Sequence, residues 1–414
     1  MAMNETNSAR AAASTPLTAS PLGSGAAKAT SSFDFDRIIE RRDGDSLKWN
    51  RYAGRDVLPL WVADMDFATP PAVLAAVRER VEHGILGYAV PTPDVVAAVV
   101  GHLERQYGWQ VDPEWIVWLP GLVTGLNVAC RAVDGGVLTA TPVYPPFLSA
   151  PKLSGRALTT VPLIEVNGRW QFDFPALAAA CAGDKAPALL LLCHPHNPVG
   201  RAWDEDELAQ LADFCRCHDL IVCSDEIHCD LILDTQRRHQ PFACIDEDAA
   251  ARSITLMAPS KTYNIPGLGC AWAVISDPEL RRRFSGVMNG IVPHVNVLGY
   301  AACAAALNDC EDWRLALIDY LRGNRDRVEA AVAAMPGVSM THIEAGYLAW
   351  IDARALNVAN PAAFFEAAGV GLNNGADFGL PGWVRLNYGC PRATLDAALA
   401  RMDAACREAA QASR

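Results

Sequence analysis

An α/β fold with a mostly parallel central sheet in a large domain, followed by a smaller α+β domain, is predicted by three features of this 414-residue chain. Short apolar runs of strand length recur between about residues 115 and 275, with helix-like stretches between several of them. These runs are apolar throughout rather than alternating, as expected of strands covered by helices on both faces. The pattern changes after about residue 290. The chain is also longer than the roughly 250–300 residues that one core usually organises.

Taken in order, residues 1–32 are a separate compositional block. Residues 11–27 carry no charge and consist mainly of Ala, Ser, Thr, Pro and Gly. Such a segment cannot bury much apolar surface, so a disordered tail is expected. It has no apolar h-region for secretion and lacks the amphipathic arginine pattern of a transit peptide. Residues 33–60 are expected to pack with the small domain, 61–290 to form the large domain and 291–414 the small one.

Helices are expected at Ala72–Glu82, after Pro70-Pro71, and at Val95–Tyr107. Strands are expected at Trp115–Leu119, Gly136–Ala140, Ala188–Cys193, Leu220–Cys223, Ser253–Met257 and Cys270–Ile275. The helix Asp204–His218 opens with an acidic first turn, which suits the helix dipole. Further on, Ala301–Leu307, Trp313–Met335, Pro361–Ala368 and Thr394–Ala410 read as helices, and Tyr347–Asp352 and Trp383–Asn387 as strands.

Composition narrows the function classes. Hydrophobic residues make up 51% and charged residues 20%, as in a soluble globular protein. Net charge is 35 − 47 = −12 without a basic block, which argues against nucleic acid and anionic membrane as partners. The thirteen cysteines include no C-x-x-C, so buried reduced thiols and a cytoplasmic location are expected, without zinc. No run of about 18 apolar residues suggests a membrane span.

Three polar residues follow apolar runs, where open parallel sheets bind their ligands. Lys261 lies in Ala258-Pro259-Ser260-Lys261-Thr262-Tyr263-Asn264, Asp225 in Ser224-Asp225-Glu226-Ile227-His228, and Asn197 in His196-Asn197-Pro198-Val199-Gly200. Any one of them alone would pass for a loop charge, a helix cap or a turn residue. Together they are what pyridoxal phosphate requires: a Schiff-base lysine, a partner for the pyridinium nitrogen and a donor to the phenolic oxygen.

The Gly-containing turn at Pro120–Asn127 enters a helix and offers amide N–H groups to a phosphate, and Ser260 adds a hydroxyl. Tyr144 follows another strand and is placed to stack on a flat ring. Arg385 is a charge inside an apolar strand. It needs either an internal salt bridge or a bound carboxylate. Asp225-Glu226-x-His228 lacks the further ligands a metal site needs.

With these segments the chain resembles the fold-type I pyridoxal-phosphate enzymes of the aminotransferase class I/II superfamily. Within it, the chain is most similar to the MalY/PatB-type cystathionine β-lyases, or C–S β-lyases, over about residues 33–405. The specific segments are Trp61–Phe67, Gly87-Tyr88, Thr141–Phe147, Asn197–Gly200, Ser224–His228, Ala258–Asn264 and Val384–Pro391.

The resemblance implies that Lys261 is catalytic and that Asp225, Asn197, Tyr144, Ser260, His228 and the Leu122 and Val123 amides bind the cofactor. Arg385 would take the substrate carboxylate. A homodimer is also implied, with Tyr88 reaching the neighbour's site near the phosphate or substrate. Two positions depart from the broad transaminase pattern: His228 replaces a tyrosine, and Gly269 a phosphate-binding arginine. The implied reaction is β-elimination of a cysteine S-conjugate such as L-cystathionine, giving a thiol, pyruvate and ammonia. Transamination of an amino acid with a 2-oxo acid is the alternative, since both reactions use the same residues.

Overall fold

The structure is a computed structural model that describes residues 33–183 and 186–412. The tail expected to be disordered, residues 1–32, lies outside the described residues. Seven strands form the main sheet: β1 Ile116–Leu119, β2 Gly136–Thr141, β3 Leu158–Pro162, β4 Pro187–Cys193, β5 Ile221–Asp225, β6 Ser253–Met257 and β7 Ala271–Val274. Their spatial order is β1-β7-β6-β5-β4-β2-β3. Strand β7 runs antiparallel to both of its neighbours, while the β2/β3, β2/β4, β4/β5 and β5/β6 pairs are parallel.

Both faces of the sheet are buried, which accounts for the unbroken apolar runs. Leu189 and Leu191 join the core on one side with Ile254 and Leu256; Leu190 and Leu192 join the other with Val222 and Trp203. The register Cys193↔Asp225 and Asp225↔Leu256 brings the carboxyl ends of β4, β5 and β6 level.

A second sheet, of order β8-β9-β11-β10, follows in the chain: β8 Ser339–Met340, β9 Leu348–Asp352, β10 Asn373–Asn374 and β11 Trp383–Asn387. The helices Val297–Asp309, Glu311–Ala334 and Arg392–Ala412 belong to this part of the sequence. Near the start of the described chain, Leu58-Pro59 pairs in parallel with Val370-Gly371.

Several elements escaped the sequence reading, among them a strand and a helix in the region of the main sheet and the helix Pro278–Met288. Strand β3 pairs only with β2 and is mostly half-exposed, so its Leu-Thr-Thr-Val-Pro carries no clear apolar pattern. The helix Pro145–Leu153 starts on two prolines and holds Pro151 inside, a composition that reads as loop.

Candidate active site

A cavity of about 250 Å³ opens at the carboxyl ends of the parallel strands. Asp225 is the last residue of β5, Asn197 lies four residues after β4 and Lys261 four after β6, and all three line it. Tyr144, Leu122, Val123, Ser260 and His228 line it too. Arg385 and Tyr88 are not in its wall.

The Lys261 amine donates to the Ala63 carbonyl at 2.6 Å. Desolvation, and then the Arg385 charge, lower its pKa to about 8, with Asp64 and Asp225 opposing. An amine with that pKa is partly unprotonated near neutrality, as a nucleophile or base must be. Asp225 is raised to about 7, chiefly by burial; the Ile227 N–H and Lys261 hold it down and Glu226 pushes it up. Its one side-chain hydrogen bond to a described residue comes from the Ile227 N–H at 3.2 Å. A buried carboxyl so poorly compensated suits a cationic partner delivered from outside the chain.

Arg385 is buried in β11 and makes no ion pair with any described carboxylate. Its Nη1 donates to Asn197 Oδ1 at 3.0 Å. Its Nη2 donates to Asn373 Oδ1 at 2.7 Å and to the Trp61 carbonyl at 3.0 Å, while Nε has no partner. Burial lowers its pKa to about 10. A desolvated guanidinium held only by neutral groups, with an orphaned N–H, is a receptor for an anion. The internal salt bridge weighed for Arg385 is absent among the described residues.

The helix start at the cavity wall offers donors to an anion. The helix Leu122–Ala132 begins after Gly121 without a side-chain cap, leaving its first amides free at the cavity wall. Asn197 Nδ2 has no partner among the described residues, so an N–H donor stands ready for a ring oxygen. The buried Asp225 carboxyl with its single hydrogen bond, the free Asn197 amide and the uncapped helix start together fit pyridoxal phosphate.

The strap 61–67, quoted for the resemblance without a role, borders the cavity through Ala63. Residues 61–67 are held through their backbone: Asn264 bonds Met65 and Phe67, Asn387 donates to the Val62 and Asp64 carbonyls, and Tyr347 to Ala63. Asn264 adopts φ +53°, a conformation that asparagine tolerates, and its motif position was the one signal available. Asn387, Tyr347 and Asn373 gave none, because their partners lie far away in sequence. Tyr88, at 105% relative exposure, lies outside its own chain's cavity. Among the described residues no cluster of three or more His, Cys, Asp or Glu could hold a metal, and no helix is long and apolar enough to cross a membrane.

A family model for aminotransferase class I and II matches residues 55–402. Cystathionine beta-lyase PatB of Bacillus subtilis is 38% identical over 387 residues, covering 90% of this chain and 99% of that protein. The solved structure of OvoB is 48% identical, covers 90% of this chain and 99% of its own, and superposes with a TM-score of 0.88. Cystalysin from Treponema denticola, whose structure contains pyridoxal 5'-phosphate, is 34% identical with a TM-score of 0.86, covering 91% of this chain and 99% of its own.

Proposed function

The chain belongs to the aminotransferase class I and II family, and we propose that within it the protein is a pyridoxal-phosphate-dependent carbon–sulfur β-lyase. It converts a cysteine S-conjugate, such as L-cystathionine, and water into a thiol, pyruvate and ammonia. The observation that carries this reading is the meeting of Lys261, Asp225 and Asn197 on one cavity, beside an Arg385 that lacks a carboxylate partner. The choice of elimination over transamination rests on the likeness to the PatB lyase.

When bound, pyridoxal phosphate supplies the electron sink that makes the substrate's Cα acidic. Each protein group has a distinct task around it. Asp225 would be the partner that keeps the cofactor's pyridine nitrogen protonated. Asn197 would supply a donor to the cofactor's oxygen, Tyr144 an aromatic surface beside it, and the Leu122 and Val123 amides with Ser260 would hold its phosphate. His228 contributes to the same wall. Arg385 orients the substrate through its carboxylate, which directs the Cα–H bond toward Lys261. The Lys261 amine, lowered to about 8, is partly unprotonated near neutral pH, and in that form it would take the proton. The strap 61–67, clamped by Asn264, Asn387 and Tyr347, fixes the carbonyl that receives the amine.

A homodimer with Tyr88 entering the neighbour's site goes with this reading. Its support is the exposed apolar run Ile85, Leu86, Tyr88 and Val90. The division into 33–60, 61–290 and 291–414 and a cytoplasmic location belong to the same proposal. The test is an assay of purified protein with L-cystathionine and S-alkyl cysteines, following pyruvate and free thiol together. Appearance of both supports the lyase. A sulfur-containing 2-oxo acid formed without thiol release indicates transamination instead.

A further inference from the structure

The His228 side chain stands in the cavity wall without a hydrogen bond. It is 4% exposed, its Nδ1 is buried and unpartnered, and neither ring nitrogen bonds another described residue. Burial, and then the Lys261 and Arg385 charges, lower its pKa to about 3, so the ring is neutral near pH 7. A neutral imidazole has one N–H and one lone pair, and which nitrogen holds the proton depends on what the other one meets.

His228 lines two spaces, as does Asn197. One is the catalytic cavity. The other is a void of about 10 Å³ lined by Pro195, His196, Pro198, Gly200, Gly346 and Leu348, among others. That volume is about what the centre of one water molecule requires. Nδ1 is on the void side: a β-carbon built on Gly346 would lie 3.9 Å from it. His196, in the same wall, also has an unpartnered Nδ1. Because His196 Nε2 must donate to the Pro142 carbonyl at 2.8 Å, that Nδ1 is a lone pair.

We propose that this void holds one structural water, which donates to His228 Nδ1 and so fixes the ring proton on Nε2, as a donor facing the catalytic cavity. Without the water, the proton has no reason to prefer Nε2. With it, the wall that carries the Asn197 amide gains a second N–H directed at whatever electron-rich atom of the cofactor or substrate lies there. His228 is thereby a donor whose orientation depends on a solvent molecule rather than on a protein partner. The inference rests on the pyridoxal-phosphate reading of the cavity and adds to it a site for water.

The test uses the holoenzyme. Nitrogen-15 NMR of labelled histidine is expected to show His228 as the neutral Nε2–H tautomer, and a high-resolution crystal structure to show a water within hydrogen-bond distance of Nδ1. An Nδ1–H tautomer, or a dry void, overturns the proposal. Two variants read the donor itself. In His228→Gln the amide reaches the cavity side and keeps a donor there; in His228→Asn it reaches only the void side.

The pH midpoint of the bound cofactor's visible band is expected to rise by about one to two units in His228→Asn, the size of one lost charge-assisted hydrogen bond. The midpoint should move less than about half as far in His228→Gln. Equal shifts in the two variants contradict the proposal. A protein that takes up no cofactor fails the functional reading instead, so the two failures are distinguishable.

Discussion

Arg385 and Asn197, 188 positions apart in sequence, meet at 3.0 Å between Nη1 and Oδ1. A guanidinium can only donate, so the contact fixes the amide with its oxygen toward Arg385 and leaves Nδ2 free for the cavity. The group assigned to the substrate's carboxylate thus orients the group assigned to the cofactor's ring oxygen.

Asn197→Asp places a carboxylate against Arg385 and satisfies the charge that a substrate should satisfy. The expected result is a rise in KM of about ten- to a hundredfold, exceeding that of Asn197→Ala. Steady-state kinetics on the two variants makes the comparison. A smaller effect for Asp than for Ala argues against Arg385 as the carboxylate receptor.

Asp225 gives the cofactor-free protein a pH signature. Its folded pKa, about 7, lies above the unfolded value of about 4, so the folded state binds more protons between those limits. This group therefore favours folding most below about pH 4, and its contribution is lost as pH rises through 7. Differential scanning calorimetry of cofactor-free protein should show Asp225→Asn removing a fall in Tm between pH 5 and pH 8. Lys261, depressed to about 8, acts in the opposite direction at higher pH, where its cost is relieved between about 8 and 10.4.

Glu344 joins the Asn197 loop to the strand segment ahead of β9. It accepts from Arg201 Nε and the Ala202 N–H, each at 2.9 Å, and forms an ion pair with Arg237 Nη2 at 3.1 Å. Arg201 is almost wholly buried; Glu344→Ala leaves it Glu207 as a counter-charge but strips its Nε of a partner, at a cost of about 1–3 kcal/mol. A marked fall in the urea midpoint is expected, measured on the holoenzyme.

Lys261→Ala should leave the circular dichroism spectrum unchanged while abolishing the visible band of lysine-bound cofactor and all turnover. Absorbance of the purified variant checks this. A retained band with retained turnover removes Lys261 from the mechanism.

What was legible in the sequence follows the range of the interactions. The strands that carry Asp225, Asn197 and Lys261 are buried on both faces, so their apolar runs stood out and their polar ends were conspicuous. Strand β3, on the edge, and the proline-bearing helix Pro145–Leu153 lacked that contrast. Arg385 was conspicuous as a charge in an apolar strand. Its partners Asn373, on a two-residue strand, and the Trp61 carbonyl were not, because isolated neutral polar groups carry no pattern. The strap 61–67 is fixed by side chains such as Asn387 and Tyr347, with sequence separations of up to 325 residues, and only folding reveals them. His228 was visible as a residue, but the void behind it was not, since a cavity is made by the packing of distant segments.

The central claim is that this active site breaks a carbon–sulfur bond. The most direct measurement is the stoichiometry of products when purified holoenzyme acts on L-cystathionine or an S-alkyl cysteine without added 2-oxo acid. Thiol, pyruvate and ammonia released in equal amounts, over many turnovers, is the predicted result. A single turnover that halts after yielding a 2-oxo acid with its sulfur chain intact, and no thiol, would contradict it.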